Sequence, residues 1–184
     1  MQEDDDEPAL LMVAVCALNT ATEIQPARVE LDETRAQIHL GEEGGTGEKK
    51  MWYVDSGASN HMTGDGDTFS ELDTSIVGTV KFGDGSRVEI QGRGTVLLEC
   101  RNGAHRALSD VYYIPMLRSN ILSIGQLDEH GCRVLIDDGV LRILDRERKL
   151  IAKVNRSANR LYKLDLHITR PVCLAAQSND VAWL

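Results

Sequence analysis

"WYVDSGASNHM", residues 52–62, runs three apolar residues straight into Asp55 and on into Ser56, Gly57 and Ala58. A strand such as Trp52-Tyr53-Val54 heads for a core, where an ionised carboxylate is costly unless hydrogen bonds hold it. Gly57 lets the backbone pass close to that carboxylate, and the Ser56 hydroxyl and neighbouring N–H groups can donate to it. The tripeptide alone is weak, because Asp, Ser and Gly are also the ordinary residues of turns and helix caps. What surrounds it decides between the two.

From Met51 onward, short apolar runs alternate with turn signals at close spacing, the pattern of an all-β domain. "TVKFGDGSRVEI" (79–90) sets two alternating runs around Gly83-Asp84-Gly85-Ser86, which predicts a β-hairpin. "GTVLLEC", "HRALSDVYYIP", "CRVLID" and "LRILDRERKLIAKV" continue the series, the last with a turn at 145–148. Only "ILSIGQLDEHG" (121–131) reads as helical, with Gly131 as its stop. Upstream, residues 1–8 are an acidic run expected to stay disordered. "LLMVAVCAL" fits a strand or a short helix equally well, and "GEEGGTGEKK" (41–50) is a Gly-rich charged linker. The expected organisation is a spacer over 1–50, a compact domain over 51–166 and a tail over 167–184, with no repeat at solenoid periods.

At 184 residues the chain suits one domain with extensions. A formal net charge of -9, a pI near 5.0 and the lack of a Lys/Arg cluster argue against nucleic acid as a partner of this segment. Cys16, Cys100, Cys132 and Cys173 form no C-x-x-C pair, so neither a zinc site nor a disulfide framework is expected, only reduced buried thiols. The N-terminus is acidic where a signal peptide is basic, and the apolar stretch 9–18 is too short to span a bilayer. A soluble, intracellular chain with no membrane partner, metal or cofactor is expected.

Asp-Ser-Gly after an apolar strand, a glycine-centred hairpin about thirty residues on, and an apolar segment ending in glycine before a helix have a joint mechanical reading as an aspartic peptidase. In such a site two aspartates share one proton and activate a water. Across "WYVDSGASNHMTG", "VKFGDGSRVEIQGRG", "LSDVYYIPMLRSNILSIGQLDEHGCRV" and "NRLYKLDL", the chain resembles the protease region of copia-type LTR retrotransposon Pol polyproteins. The resemblance implies a retropepsin-like closed β-barrel with psi-loops, a flap hairpin and one short helix. It implies catalysis by Asp55, an active-site loop of Ser56, Gly57 and Ala58, and a flap of Phe82, Gly83, Asp84, Gly85 and Ser86. Ile124 and Gly125 fall on the second psi-loop, with Gly125 beneath the active-site loop.

The same resemblance implies an endopeptidase that processes its own polyprotein, cytoplasmic and within retrotransposon particles. The tail resembles the approach to an integrase zinc module, but neither its His/Cys set nor the nucleocapsid knuckle is present in the 184 residues. Retroviral proteases often place Asp where this chain has Ser59 and Arg where it has Gln126, an ion pair near the dimer interface that is uncharged here. Asp73-Thr74-Ser75 and Asp137-Asp138-Gly139 are only near misses for a second D-[ST]-G, so one chain supplies one catalytic carboxylate and a homodimer is expected.

Other residues have plainer readings. His61 has no second ligand at helical spacing and reads as a surface or packing histidine. Gly92-Arg93-Gly94 is a bulge rather than a phosphate cradle, since no helix follows it. Tyr112 and Tyr113 read as core and rim, and Arg146, Arg148 and Lys149 as a solvated turn. The competing function class is a catalytically silent β-domain, a domesticated or decayed element used as a binding module or spacer.

Overall fold

The computed structural model describes residues 26–36, 51–100 and 103–169. In chain order these form β1 (Ala27–Glu33), β2 (Met51–Asp55), β3 (Met62–Thr63), a 3-10 turn (Gly66–Thr68), β4 (Glu71–Asp73), β5 (Ile76–Phe82), β6 (Arg87–Ile90) and β7 (Gly92–Glu99). β8 (His105–Tyr113), β9 (Asn120–Ser123), α1 (Ile124–Glu129), β10 (Arg133–Asp137), β11 (Val140–Leu144), β12 (Leu150–Asn155) and β13 (Tyr162–Asp165) follow. The domain is all-β with one short helix, as the alternating runs require.

A seven-stranded sheet, in the order β13-β2-β9-β3-β8-β7-β4, carries the centre of the molecule. β2 buries Trp52 and Val54 on alternate positions, the period that a sheet facing a core imposes. β9 buries all four of its residues, as a strand covered on both faces must. Two three-stranded sheets, β1-β5-β6 and β10-β11-β12, pack around it. One apolar cluster gathers Trp52, Val96, Val111, Leu122 and Leu141. A second gathers Met62, Val80, Phe82, Ile90, Ile114 and Ile121.

The expected closed barrel is not formed among the described residues. A barrel needs its first and last strands to pair, but the large sheet ends at β4 on one side and β13 on the other. The β5–β6 hairpin takes β1 as its third strand instead of joining that sheet, so these edges stay apart.

The domain also does not begin at Met51. β1 runs parallel to β5 in unbroken register from Ala27↔Ile76 to Glu33↔Phe82. Val29 and Leu31 alternate with charged residues and pack on the second cluster, a period-2 signal diluted by its polar face. At the other end Ile168 bridges Leu98, so the packed unit extends past 166. The expectations for 1–8, for "LLMVAVCAL", for 41–50 and for the tail beyond 169 lie outside the described residues.

The segment read as one helix over 121–131 divides. Ile121 and Leu122 fit the doubly covered β9, and the helix starts only at Ile124, with Ser123 as its N-cap. Gly131, at φ 83°, is its stop.

Candidate active site

Asp55 is the last residue of β2 and lies opposite Ser123, the last residue of the parallel strand β9. β9 also pairs antiparallel with β3, so it sits between β2 and β3 while residues 56–61 loop across its end. The carboxylate is turned back on its own loop: the Gly57 N–H donates to Asp55 Oδ1 at 2.7 Å. A Cβ on Gly57 would meet that oxygen at 3.2 Å and overlap the Arg35 carbonyl, so only glycine fits.

A buried polar net fixes the far side of the loop. The Ser123 hydroxyl donates to the Ala58 carbonyl at 2.7 Å and accepts from the Gln126 N–H at 3.1 Å. The Ser123 N–H donates to His61 Nδ1 at 2.9 Å, and the His61 N–H donates to Gln126 Oε1 at 2.6 Å. Gln126 Nε2 donates in turn to the Asp110 carbonyl at 3.2 Å. Below it, Thr63 Oγ1 donates to Asn120 Oδ1 at 2.7 Å, and Asn120 Nδ2 donates to the Met51 carbonyl at 3.2 Å. Apart from the Gln126 N–H to Ser123 cap bond, each of these bonds joins segments that meet only in the fold.

His61 is fully buried, and burial, aided by nearby His130, lowers its pKa to about 3. Because Nδ1 accepts, the ring proton sits on Nε2, which has no hydrogen-bond partner among the described residues. His61 is therefore a packing histidine and not a surface one.

On the near side stands Glu33, 1% exposed. Its Oε2 accepts from the Ser59 N–H at 2.7 Å and its Oε1 from Asn60 Nδ2 at 2.8 Å. Burial raises its pKa and Asp55 nearby adds to that, while the bonds from Asn60 and Ser59 oppose it. The carboxylate end of β1 thus meets the loop that follows Asp55.

The hairpin approaches from the same side. Phe82 is fully buried in the second cluster, so its side chain is an anchor of the hairpin. The turn closes through Phe82 N–H to the Ser86 carbonyl at 2.9 Å and Gly85 N–H to the Phe82 carbonyl at 3.0 Å. Asp84 Oδ1 accepts from the Ser86 N–H at 2.9 Å, and bonding to Ser86 lowers its pKa. Gly85 has φ 84° with open space around it, whereas a Cβ on Gly83 would overlap the Thr34 carbonyl. Ile124 packs on the first cluster, and Gly125 sits in the first turn of α1 with the Ser123 hydroxyl as the nearest neighbour of a built Cβ, at 3.7 Å.

Asp55, the 56–58 loop, the hairpin base and the β9–α1 junction thus converge at one end of the large sheet. Ser59 and Gln126, the uncharged counterparts of the retroviral ion-pair positions, both bond within the chain: the Ser59 N–H donates to Glu33, and Gln126 Oε1 accepts from the His61 N–H. The sequence reading missed Glu33, Asn60, Ser123 and the partners of His61. The only available signal was the polar triplet Ser59-Asn60-His61 between apolar neighbours. No group of three or more His, Cys, Asp or Glu residues that could hold a metal occurs among the described residues. No described helix is long and apolar enough to cross a membrane, and Cys100 and Cys132 are free thiols, partly buried.

Residues 52–132 match the family model of the Pol polyprotein, beta-barrel domain. The chain is similar to the Retrovirus-related Pol polyprotein from transposon TNT 1-94 of Nicotiana tabacum, 36% identical over 101 residues, covering 55% of this chain and 7% of that polyprotein. It is similar as well to the Retrovirus-related Pol polyprotein from transposon RE1 of Arabidopsis thaliana, 25% identical over 133 residues, covering 71% of this chain and 9% of that polyprotein. The chain thus spans less than a tenth of the length of either relative. No solved structure gives a significant match. These similarities liken the β-domain to a segment of retrovirus-related transposon Pol polyproteins.

Proposed function

We propose that this Pol-related domain is a retropepsin-like aspartic endopeptidase that cleaves its own retrotransposon polyprotein, acting in the cytoplasm within the element's particles. Asp55 of each of two subunits is the catalytic carboxylate. The observation that carries this reading is the placement of Asp55 at the end of a buried strand, with β9 passing between the two strands its loop connects. That strand order supports a psi-loop reading of the site. A buried net from Ser123, Gln126 and His61 then holds the loop rigid.

The roles follow from position. A dyad axis beside the loop brings two copies of Asp55 face to face, and the pair holds one proton and activates a water for attack on a peptide carbonyl. Gly57 and Ser56 shape the loop, and Ala58 is tied to Ser123 so that the carboxylate keeps its direction. Ile124 and Gly125 form the second loop. Residues 82–86 cover the bound peptide, with Phe82 as the buried hinge and Gly85 as the exposed tip.

The test is processing of a polyprotein fragment spanning residues 1–184 by the purified chain, with and without pepstatin. Cleavage by wild type, abolished by Asp55→Asn in a protein whose circular dichroism is unchanged, is the expected result. A folded wild-type chain that cleaves nothing across pH 4 to 8 and at any concentration leaves the silent-module alternative standing.

A further inference from the structure

Residues 33–36 lie against Gly57 of the loop after Asp55 and Gly83 at the hairpin base, between which the proposed function sets the bound peptide. The Arg35 carbonyl is in contact with Gly57, and the Thr34 carbonyl with Gly83 at the hairpin base. Ala36 is buried in the same cluster as Ala58. The segment is a turn, closed by the Ala36 N–H to the Glu33 carbonyl at 3.1 Å. A strand edge or hairpin recognises an extended peptide, so a turn fills the space without presenting an aligned peptide bond for attack.

The anchor of this turn has unusual chemistry. Glu33 is buried, yet no ion pair of Glu33 occurs among the described residues. The Ser59 N–H and the Asn60 side-chain amide donate to it, and the Asn60 N–H bonds it too. A buried carboxylate held only by neutral donors gives up much of its hydration for its hydrogen bonds. It is therefore a costly way to fasten a strand and a ready one to release. The donors themselves belong to the active-site loop and stay in place when the turn leaves.

We propose that the Ser59 N–H and the Asn60 amide form a carboxylate-binding subsite of the substrate cleft, filled in this chain by its own Glu33, with residues 33–36 acting as an internal plug that an acidic side chain of an incoming peptide displaces. The plug inhibits in cis, and the same subsite favours a Glu or Asp in the substrate. This rests on the peptidase reading for its consequence, but not for the binding site itself.

Two arms test it on the full 184-residue chain. In the first, a labelled peptide of residues 26–36 is titrated onto the Glu33→Ala chain and followed by fluorescence polarisation. It is expected to bind at least tenfold more tightly than the same peptide carrying Ala at 33, and to bind the wild-type chain more weakly than the variant. In the second, cleavage of a separate peptide substrate is expected to be several-fold faster for Glu33→Ala than for wild type and to be inhibited competitively by the 26–36 peptide. If circular dichroism shows Glu33→Ala unfolded, Asn60→Ala replaces it; that variant also removes an anchor and is expected to show the same acceleration, but weak binding of both peptides. Peptide binding that ignores residue 33, or an active Glu33→Ala chain no faster than wild type, overturns the plug. Absence of cleavage by every chain overturns the peptidase reading instead, and the binding arm still decides the subsite.

Discussion

The Ser123 hydroxyl donates to the Ala58 carbonyl at 2.7 Å, so one side-chain oxygen both caps α1 and fixes the loop after Asp55. Ser123→Ala strands a buried carbonyl and a helix N–H at once. It is expected to cost about 2–4 kcal/mol, the sum of a lost N-cap and a buried acceptor left unpaired. Urea unfolding is the measurement: the midpoint falls while the slope is unchanged. A loss below about 0.5 kcal/mol would show that water replaces the hydroxyl, and that the loop does not depend on it.

Gln126 cannot be exchanged for its acid. Its Oε1 accepts from the His61 N–H while its Nε2 faces the carbonyls of Ser109 and Asp110. Gln126→Glu keeps the acceptor but sets a second oxygen against two others in a buried site, at a cost of about 2–4 kcal/mol. Because the neutral acid can still donate one bond, the variant's stability deficit relative to wild type is expected to shrink as the pH falls from 7 to 5. A pH-independent loss would show that Nε2 contributes little.

The histidine sets a limit in acid. His61 has a folded pKa of about 3 against an ordinary 6.5, so the folded state resists its protonation. Its contribution is fully present above pH 6.5 and is lost as the pH falls toward 3, at about 1.4 kcal/mol per pH unit. Melting temperatures between pH 7 and 4 are expected to drop steeply for wild type and much less for His61→Gln, which is less stable at pH 7. Equal slopes would rule His61 out as the group responsible. An acid-preferring peptidase activity would then be cut off on its acid side by unfolding before its chemistry fails.

The two hairpin glycines are expected to differ. Gly85→Ala meets nothing within 4 Å but must keep φ 84°, at a cost of about 1 kcal/mol. Gly83→Ala must move Thr34, which loosens the turn at 33–36. If that turn plugs the cleft, Gly83→Ala loses stability yet binds added peptide better, while Gly85→Ala does not. Identical behaviour of the two variants would contradict the close contact at Gly83.

The chain holds one Asp-Ser-Gly, so under the proposed dimeric peptidase activity is expected to fall on dilution and to be titrated away by excess Asp55→Asn chain. Activity that follows the wild-type chain alone at every mixing ratio would mean a working monomer.

The strands were largely legible because each carries its own period: the hairpin at 79–90 with its Gly-Asp-Gly turn, and the runs that became β7, β8, β10, β11 and β12. Asp55 stood out because an apolar strand runs into it. What escaped is what depends on distant partners. β1 was hidden because its outward face is charged, and only the match of Val29 and Leu31 to β5 marks it as a strand of the domain. Glu33 meets Ser59 across 26 positions and His61 meets Ser123 across 62, and no local pattern announces either bond. Barrel closure failed as an expectation for the same reason, since edge pairing is a property of the whole sheet.

The strand that ends in Asp55 is flanked by β9 and β13, both of which lie downstream in the chain. During synthesis from the N-terminus, β2 therefore emerges long before either neighbour exists to pair with it. Non-local pairings of this kind form late, because the loop between the partners must close first. The ribosome thus sets a clock: Trp52 cannot be enclosed until Leu164, its partner in β13, has been translated and released from the exit tunnel. Any processing by this domain is then post-translational with respect to its own residues, and nascent chains arrested before residue 165 would stay open to an added protease at β2, while longer ones would become protected.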